Sequence, residues 1–304
     1  MIKNTSSPDK VWAELAESRL TPKRKLWRRL WRVKKGLVGL AIVLVAVILA
    51  ITPATFAPHD PYKQSIATRL LPPAWEDGGR MEFLLGTDQV GRDYLSRIIY
   101  GARISMITGT VAVVIALCIG VTLGVVAGYY GRFIDTLVTN LVNIMMAFPF
   151  ILLALAVIAI LGPSLRNMII VLGITTWPVY TRVARSEVLS FREREFVQAA
   201  KGLGCSDLRI ILRHIFPNLL NSLLVLASIE VARTILREAV LSFLGLGVQP
   251  PTPSWGGMLS EGRVYMLGRW WLAAFPGLAI FITTLGINLL GDGLRDFLDP
   301  HLDV

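Results

Sequence analysis

The chain is 304 residues long, 54% hydrophobic and only 17% charged, which is too apolar for an ordinary soluble domain. Its formal charge of +10 would suit nucleic acid, but the distribution argues against that partner: eleven Lys and Arg and only three acids precede Gly36. The two cysteines, Cys118 and Cys205, fall in an apolar run and in a polar loop, so a disulfide between them is not expected.

Thr21 to Lys35 reads TPKRKLWRRLWRVKK, with apolar i, i+4 pairs Leu26/Leu30 and Trp27/Trp31 among cations. This suits a helix lying in the inner headgroup layer; a calmodulin-type target has a similar pattern. The polar N-terminal stretch before the first apolar run is not that of a cleavable signal. Six apolar runs follow, each able to cross a bilayer that needs roughly 20 residues. They are Leu37–Phe56, Ile104–Gly128, Ile134–Leu161, Met168–Val188, Leu219–Leu246 and Trp271–Leu290. A buried soluble helix is the alternative for any one of them, but not for six together. The organisation expected is a basic segment (1–36), a first crossing with its outer segment (37–103), and a five-helix core (104–304).

Gly86 to Ser105 reads GTDQVGRDYLSRIIYGARIS, a capped amphipathic helix entering the second run. Thr87 or Asp88 is the expected cap, and Asp93 and Arg97 are expected to pair at i, i+4. In the second run Gly120, Gly124 and Gly128 recur every four residues, the small-residue spacing that lets membrane helices approach closely. Asn140 and Asn143 put polar groups on one face of the third run, which should meet protein or water. Pro178 and Pro276 are expected to kink or break the fourth and sixth helices.

Between the fourth and fifth runs lies a loop (189–217) that carries Arg192, Arg194, Lys201, Arg209 and Arg213. Positive residues gather on the cytoplasmic side, which places this loop and both termini inside and makes anionic lipid the partner of the basic excess. Phe196, Ala199, Ala200 and Leu203 share one helical face, Gly204 stands where a C-terminal cap belongs, and Ser206 can cap a second helix with Asp207 in its first turn. Leu208, Ile211, Leu212, Ile215 and Phe216 repeat the helical spacing, and Pro217 suits the start of a further helix. A connecting loop on the membrane surface and a docking element both fit this pattern.

The fifth run holds Glu230, Arg233 and Arg237 on one stripe, with Glu238 beside them. Counted from Pro217, Glu230 is roughly 20 Å in, near mid-bilayer. Charges at that depth need partners or a water-filled cavity. Pairing of Glu230 with Arg233 that glues helices is one reading. The other is a polar wall of a translocation path meeting the carboxylate and ammonium of a zwitterionic peptide. Further on, Trp255, Tyr265, Trp270 and Trp271 suit an interfacial aromatic belt, and Asp292, Arg295, Asp296 and Asp299 a charged inner end.

The loop resembles that of ABC importer permeases. Their pattern of Glu-Ala-Ala, three residues, Gly, nine residues and Ile-x-Leu-Pro is met by Gln198, Ala199, Ala200, Gly204 and Pro217. Three positions depart: Gln198 for Glu, His214 for Ile and Phe216 for Leu. Gly86, Thr87, Asp88, Gly91, Arg92, Asp93, Ser96, Arg97, Gly101, Arg103 and Ser105 resemble the hallmark of the dipeptide, oligopeptide and nickel branch. Leu241–Gly262 and Asn288–Pro300 also resemble that branch, so the likeness spans nearly everything from Gly36 onward. It implies an all-α, six-helix, type I (MetI-like) permease in the bacterial cytoplasmic membrane with both termini inside. The implied function is import of di- or oligopeptides, with nickel complexes, glutathione, opines and oligosaccharides as other cargoes of relatives. The implied partners are a second homologous permease, two ATPase subunits carrying ATP and Mg, and an extracytoplasmic substrate-binding protein, with the Gly204 loop docked on an ATPase. No Gly-Lys pair occurs, so there is no G-x-x-x-x-G-K-[ST] phosphate loop, and energy is expected from a partner rather than a cofactor on this chain. His59, His214 and His301 are scattered and no H-E-x-x-H or G-x-S-x-G motif occurs, which argues against an intramembrane enzyme and a metal site. A passive channel would leave the hinged loop without a task.

Overall fold

The computed structural model describes residues 34–298. Most of the basic Thr21–Lys35 segment lies outside them, as do Asp299, Pro300 and His301. The described residues form helices and connecting loops, with one isolated bridge between Thr87 and Asp93. The helices are α1 (Lys34–Ile51), α2 (Pro53–Phe56), α3 (Tyr94–Tyr130), α4 (Arg132–Ala147), α5 (Phe150–Leu161), α6 (Leu165–Arg192), α7 (Glu195–Gly202), α8 (Asp207–Phe243), α9 (Trp255–Gly262) and α10 (Trp271–Leu298).

Four helices, α1, α3, α8 and α10, are long and apolar enough to cross a membrane, and α4 with α5 makes a fifth candidate if that bent pair is one span. The single run expected over Ile134–Leu161 is instead two helices meeting at 88°. Phe148 and Pro149 make the corner: Pro149 pushes Phe148 into an extended conformation, and α5 starts anew after it. Over Met168–Val188 the helix forms, but α6 is interrupted by threonines and by Arg182 and Arg185, so it lacks the uniform apolarity of a lipid-facing span. Pro178 and Pro276 do not break α6 or α10, which run on through them. Pro217 stands in the first turn of the α-helical stretch Phe216–Phe243, as expected, but no break sets that stretch off from what precedes it. The chain widens into a π-helical turn at Ile211–Ile215 and continues as one helix. A proline has no N–H and crowds the carbonyl four residues back, here Arg213, and a wider turn relieves both.

The helix that leads into the second apolar run begins at Tyr94, about five residues later than a cap at Thr87 or Asp88 would start it. Asp93, not Thr87 or Asp88, caps it, accepting from the Ser96 N–H at 2.9 Å. At 37 residues α3 is about 55 Å long, well beyond the roughly 30 Å hydrocarbon layer, so part of it stands clear. Its closest neighbour is α6, and the glycines explain why. A Cβ on Gly120 would lie 2.6 Å from the Tyr180 Cβ, on Gly124 2.6 Å from the Thr181 carbonyl oxygen, and on Gly128 2.9 Å from the Arg185 carbonyl oxygen. The Thr181 hydroxyl donates to the Gly120 carbonyl at 3.0 Å across the seam. The same device, unnoticed in the sequence, joins α1 to α10 where Gly39 meets the Leu290 backbone and Gly286 meets Ile42.

Two tryptophans are not belt residues. Trp255 is buried against Gly101 and donates to the Ile98 carbonyl at 2.9 Å, and Trp271 is buried beside Tyr94 and Leu272. Trp270 is exposed and donates to Glu76 at 2.7 Å.

Gly124→Leu is expected to drive α3 and α6 apart at a cost of about 1–3 kcal/mol or more, since no rotamer avoids backbone on the facing helix. A lowered unfolding transition in detergent, with Gly277→Leu at an open position unchanged, is the result to look for.

Candidate coupling loop and transport path

At the end of the molecule where α3 stops, α7 and the start of α8 form the hinged pair expected from spacing. Gly204 has φ +75°, its N–H bonds the Lys201 carbonyl at 2.9 Å, and the Cys205 N–H bonds the Ala200 carbonyl at 3.1 Å. These two bonds are the Schellman closure of a helix. Ser206 occupies the capping position of α8 but its side chain makes no cap bond. Asp207 instead accepts from the Tyr129 hydroxyl at 2.6 Å, tying the hinge to the end of α3.

The face that shares Phe196, Ala199, Ala200 and Leu203 is divided, with Ala200 alone turned inward. Val197 and Ala200, with Ile210, Ile211, Ile215 and Leu219, pack into the same core as Tyr129 and Val188. Phe196, Ala199, Leu203, Leu208, Leu212 and Phe216 are exposed, Leu203 to 85%. So many exposed large apolar groups in one short segment mark an interaction surface. Gln198 is exposed, and its side-chain amide donates to the Arg192 carbonyl at 2.8 Å, completing the end of α6. Pro217 is exposed on the following helix.

Midway along α8 the charged stripe closes on itself. Glu230 is fully buried and accepts from Arg233 at 2.8 Å, while Arg237 stands 3.5 Å from its other oxygen. Arg237 also donates to the Thr176 hydroxyl at 3.0 Å and lies over the Phe150 ring. One carboxylate serves two guanidiniums, so the cluster keeps a net positive charge. The Arg233 side chain is 59% exposed in this chain. An exposed guanidinium within an apolar span faces protein or water, not lipid. Glu238 is not part of the stripe: it is buried between the Ser105 and Ser242 hydroxyls, at 3.1 and 2.7 Å. Sequence reasoning missed Thr176 and Tyr180, which α6 brings against the stripe. The Tyr180 hydroxyl is buried without a hydrogen-bond partner among the described residues. It also missed Asp135, which α4 sets in an ion pair with Arg185, 2.7 Å at its second contact. Of the asparagines, Asn143 accepts from Arg182 at 3.2 Å.

At the opposite end of α3 the Gly86–Ser105 motif acquires a physical role. Asp88 is fully buried. It accepts from the Val90 and Arg92 N–H groups at 2.9 Å each, from Arg92 Nε at 2.6 Å, and from Arg97. Arg97 therefore pairs with Asp88 and not with Asp93; Asp93 is committed to the helix cap and to the Ser96 hydroxyl. Glu261 of α9 completes the cluster, 3.1 Å from Arg97, 3.5 Å from Arg92 and 2.9 Å from the Gln89 amide. Nothing local could reveal Glu261, which lies 164 residues from Arg97. Thr87 bonds the Leu71 N–H at 2.9 Å and the Thr68 carbonyl, and Gly86 and Gly91 hold positive φ where a side chain would strike the 65–73 backbone. Burial pushes the Asp88 carboxyl up, but the Arg97 charge, the Arg92 and Val90 N–H groups and the Arg92 charge outweigh it and hold the pKa below 3.8. The motif is a clasp that fastens the 57–93 segment to α3 and α9.

Residues 120–304 match the family described as binding-protein-dependent transport system inner membrane component. The chain belongs to this family of transport permeases. Residues 21–73 of the permease also match the N-terminal TM domain of oligopeptide transport permease C. It is 44% identical over 282 residues to a di/tripeptide transport system permease protein of Pseudomonas aeruginosa, covering 93% of each chain. It is 46% identical over 283 residues to the dipeptide transport system permease protein of Escherichia coli, covering 93% of this chain and 94% of that one. Among solved structures, inward-facing conformations of the MetNI methionine ABC transporter superpose with TM-score 0.56 at 18% identity, over 67% of this chain and 97% of that one, which shows a shared fold. The permease is thus a multi-pass inner-membrane component of a transport system and not an enzyme, and its family implies ATPase and substrate-binding partners.

Asp88→Asn leaves Arg92 and Arg97 facing Glu261 alone, and breaking a buried pair costs about 3–5 kcal/mol. Proteolysis of the 57–93 segment is expected to quicken, with unfolding at lower temperature. In the wild type the Asp88 contribution is fully present above pH ~3.8 and is lost as pH falls through the lower folded-state pKa. Clasp opening that begins near neutral pH would contradict this.

Proposed function

We propose that this chain is one permease subunit of an ATP-driven importer of di- and oligopeptides. Six crossings, counting α6 and the bent α4–α5 pair, put both termini and the Gly204 loop in the cytoplasm and the Asp88 clasp outside, in accord with the basic residues at the loop and before Gly36. A second homologous permease completes the path. Two ATPase subunits, which hold ATP and Mg, take the loop, and an external binding protein delivers cargo. Relatives matched over 93% of this chain and 93–96% of their own length are named for peptide transport, which supports the cargo class.

The observation that carries the mechanism is the two-sided loop. Its inner face is part of the core, and its outer face is an apolar surface hinged at Gly204. A push on the exposed arm is passed to the ends of α3, α6 and α8 because Val197, Ala200 and Ile215 leave no slack. The coupling is mechanical. Along the path, Glu230, Arg233 and Arg237 present one anionic and two cationic groups, which suits a zwitterionic peptide better than an uncharged sugar.

Ala199→Glu, on the exposed face, is expected to abolish co-purification of the ATPases while the permease stays folded. Gly204→Val, which forces a β-branched residue to φ +75°, is expected to do so by distorting the hinge, at about 1–3 kcal/mol of strain. ATPase association indifferent to both changes would remove the loop from its role. Separately, Arg237→Ala and Glu230→Gln are each expected to lower peptide uptake about tenfold or more, given 1.5–3 kcal/mol for a hydrogen bond to a charged group. Normal uptake in both would return the stripe to helix pairing alone.

A further inference from the structure

We propose that Arg182 is a second carboxylate station in the path, and that the C-terminal carboxylate of the peptide travels along this subunit's wall. The inference rests on the peptide-import reading. Arg182 lies on α6, ten residues before its end at Arg192, so about 15 Å inside that helix. Its side chain is exposed in this chain, yet a guanidinium stays charged and cannot be left to lipid at that depth. Each neighbouring cation has at least a share of a carboxylate. Arg185 has Asp135, and Arg233 and Arg237 share Glu230. Among the described residues Arg182 has no carboxylate within ion-pair distance. Among the described residues its one side-chain hydrogen bond goes to the neutral Asn143 oxygen, from Nη2 at 3.2 Å, which leaves the other guanidinium donors without an acceptor there.

Position makes this a station and not a stray charge. Asn143 stands just before the α4–α5 corner, and Phe150 just after it carries Arg237 on its ring. Both arginines therefore flank one elbow of the chain. Together Arg182, Arg233 and Arg237 set three positive charges against the single carboxylate of Glu230. A wall with two uncompensated cations attracts an anion, and the planar fork binds a carboxylate through paired N–H donors. The peptide's ammonium then has little to meet on this side beyond Glu230, and the opposite wall must supply its partner.

The test uses the assembled transporter in membrane vesicles, measuring ATP-dependent uptake of a labelled dipeptide for wild type, Arg182→Gln, Arg182→Lys and Asn143→Ala. Expected are a loss of about tenfold or more in Arg182→Gln, uptake within about threefold of wild type in Arg182→Lys, and Asn143→Ala within about twofold. The same subunits should co-purify in all four, with unstimulated ATPase activity unchanged. Three results would overturn the assignment: normal uptake in Arg182→Gln, equal loss in Asn143→Ala, which would mean a helix staple, or loss of the subunits from Arg182→Gln, which would mean an interface residue. A wild type that imports no dipeptide refutes the peptide-import reading itself, and the carboxylate station falls with it.

Discussion

A charge inside an apolar layer must be answered by another polar group, and most of this structure follows from how that demand is met. An unanswered ion at mid-span costs at least about 2.5–3.5 kcal/mol. The chain meets the demand in three ways. At the start of α3, buried Asp88, Arg92 and Arg97 pair with one another and with the half-buried Glu261, which makes a clasp. Asp135 and Arg185 form a simple pair between α4 and α6. Glu230 is outnumbered by Arg233 and Arg237, and Arg182 has only an amide. Neutralised groups here build scaffold, and the charge left over at Glu230 and Arg182 is what the proposed transport path would use.

The proposed coupling through the loop requires a stiff scaffold. Gly120, Gly124 and Gly128 bring α3 and α6 to backbone contact, and the hinge core sits directly on the far end of that seam through Tyr129 and Val188. A rigid lever joined to a hinge with a glycine at positive φ transmits displacement with little lost to side-chain rearrangement. The clasp holds the opposite end of α3, so in the proposed coupling a displacement at the loop would be resisted there and would appear between the helices.

Local pattern was a sound guide wherever one helix face or one turn decided the outcome. The Gly204 cap, the glycine stripe and the grouping of Glu230 with its arginines were legible because each depends on residues within about seven positions. The same reasoning misassigned the cap of α3, the partner of Arg97 and the environment of Trp255 and Trp271. The cap moved to Asp93 within the motif because Thr87 and Asp88 are taken by other partners, and in the other cases a group distant in sequence contributed. Glu261 and Asp88 offered Arg97 a buried site with two carboxylates, against one already bound in a cap. Gly101 offered Trp255 a slot that no aromatic pattern announces.

By itself the sequence determined the membrane class, the placement of most helices, the family and the hinge, because apolar run length, charge asymmetry and motif spacing are one-dimensional properties. Only the tertiary structure decided what each polar residue answers to. Pairing across a bundle depends on which faces meet, and those faces are set by helix packing: the 88° corner at Phe148–Pro149, the glycine seam of α3 with α6, and the turn that brings α9 back over Arg97. That is why Arg182, an unremarkable residue in the sequence, stands out as a cation without a carboxylate beside the elbow that also holds Arg237.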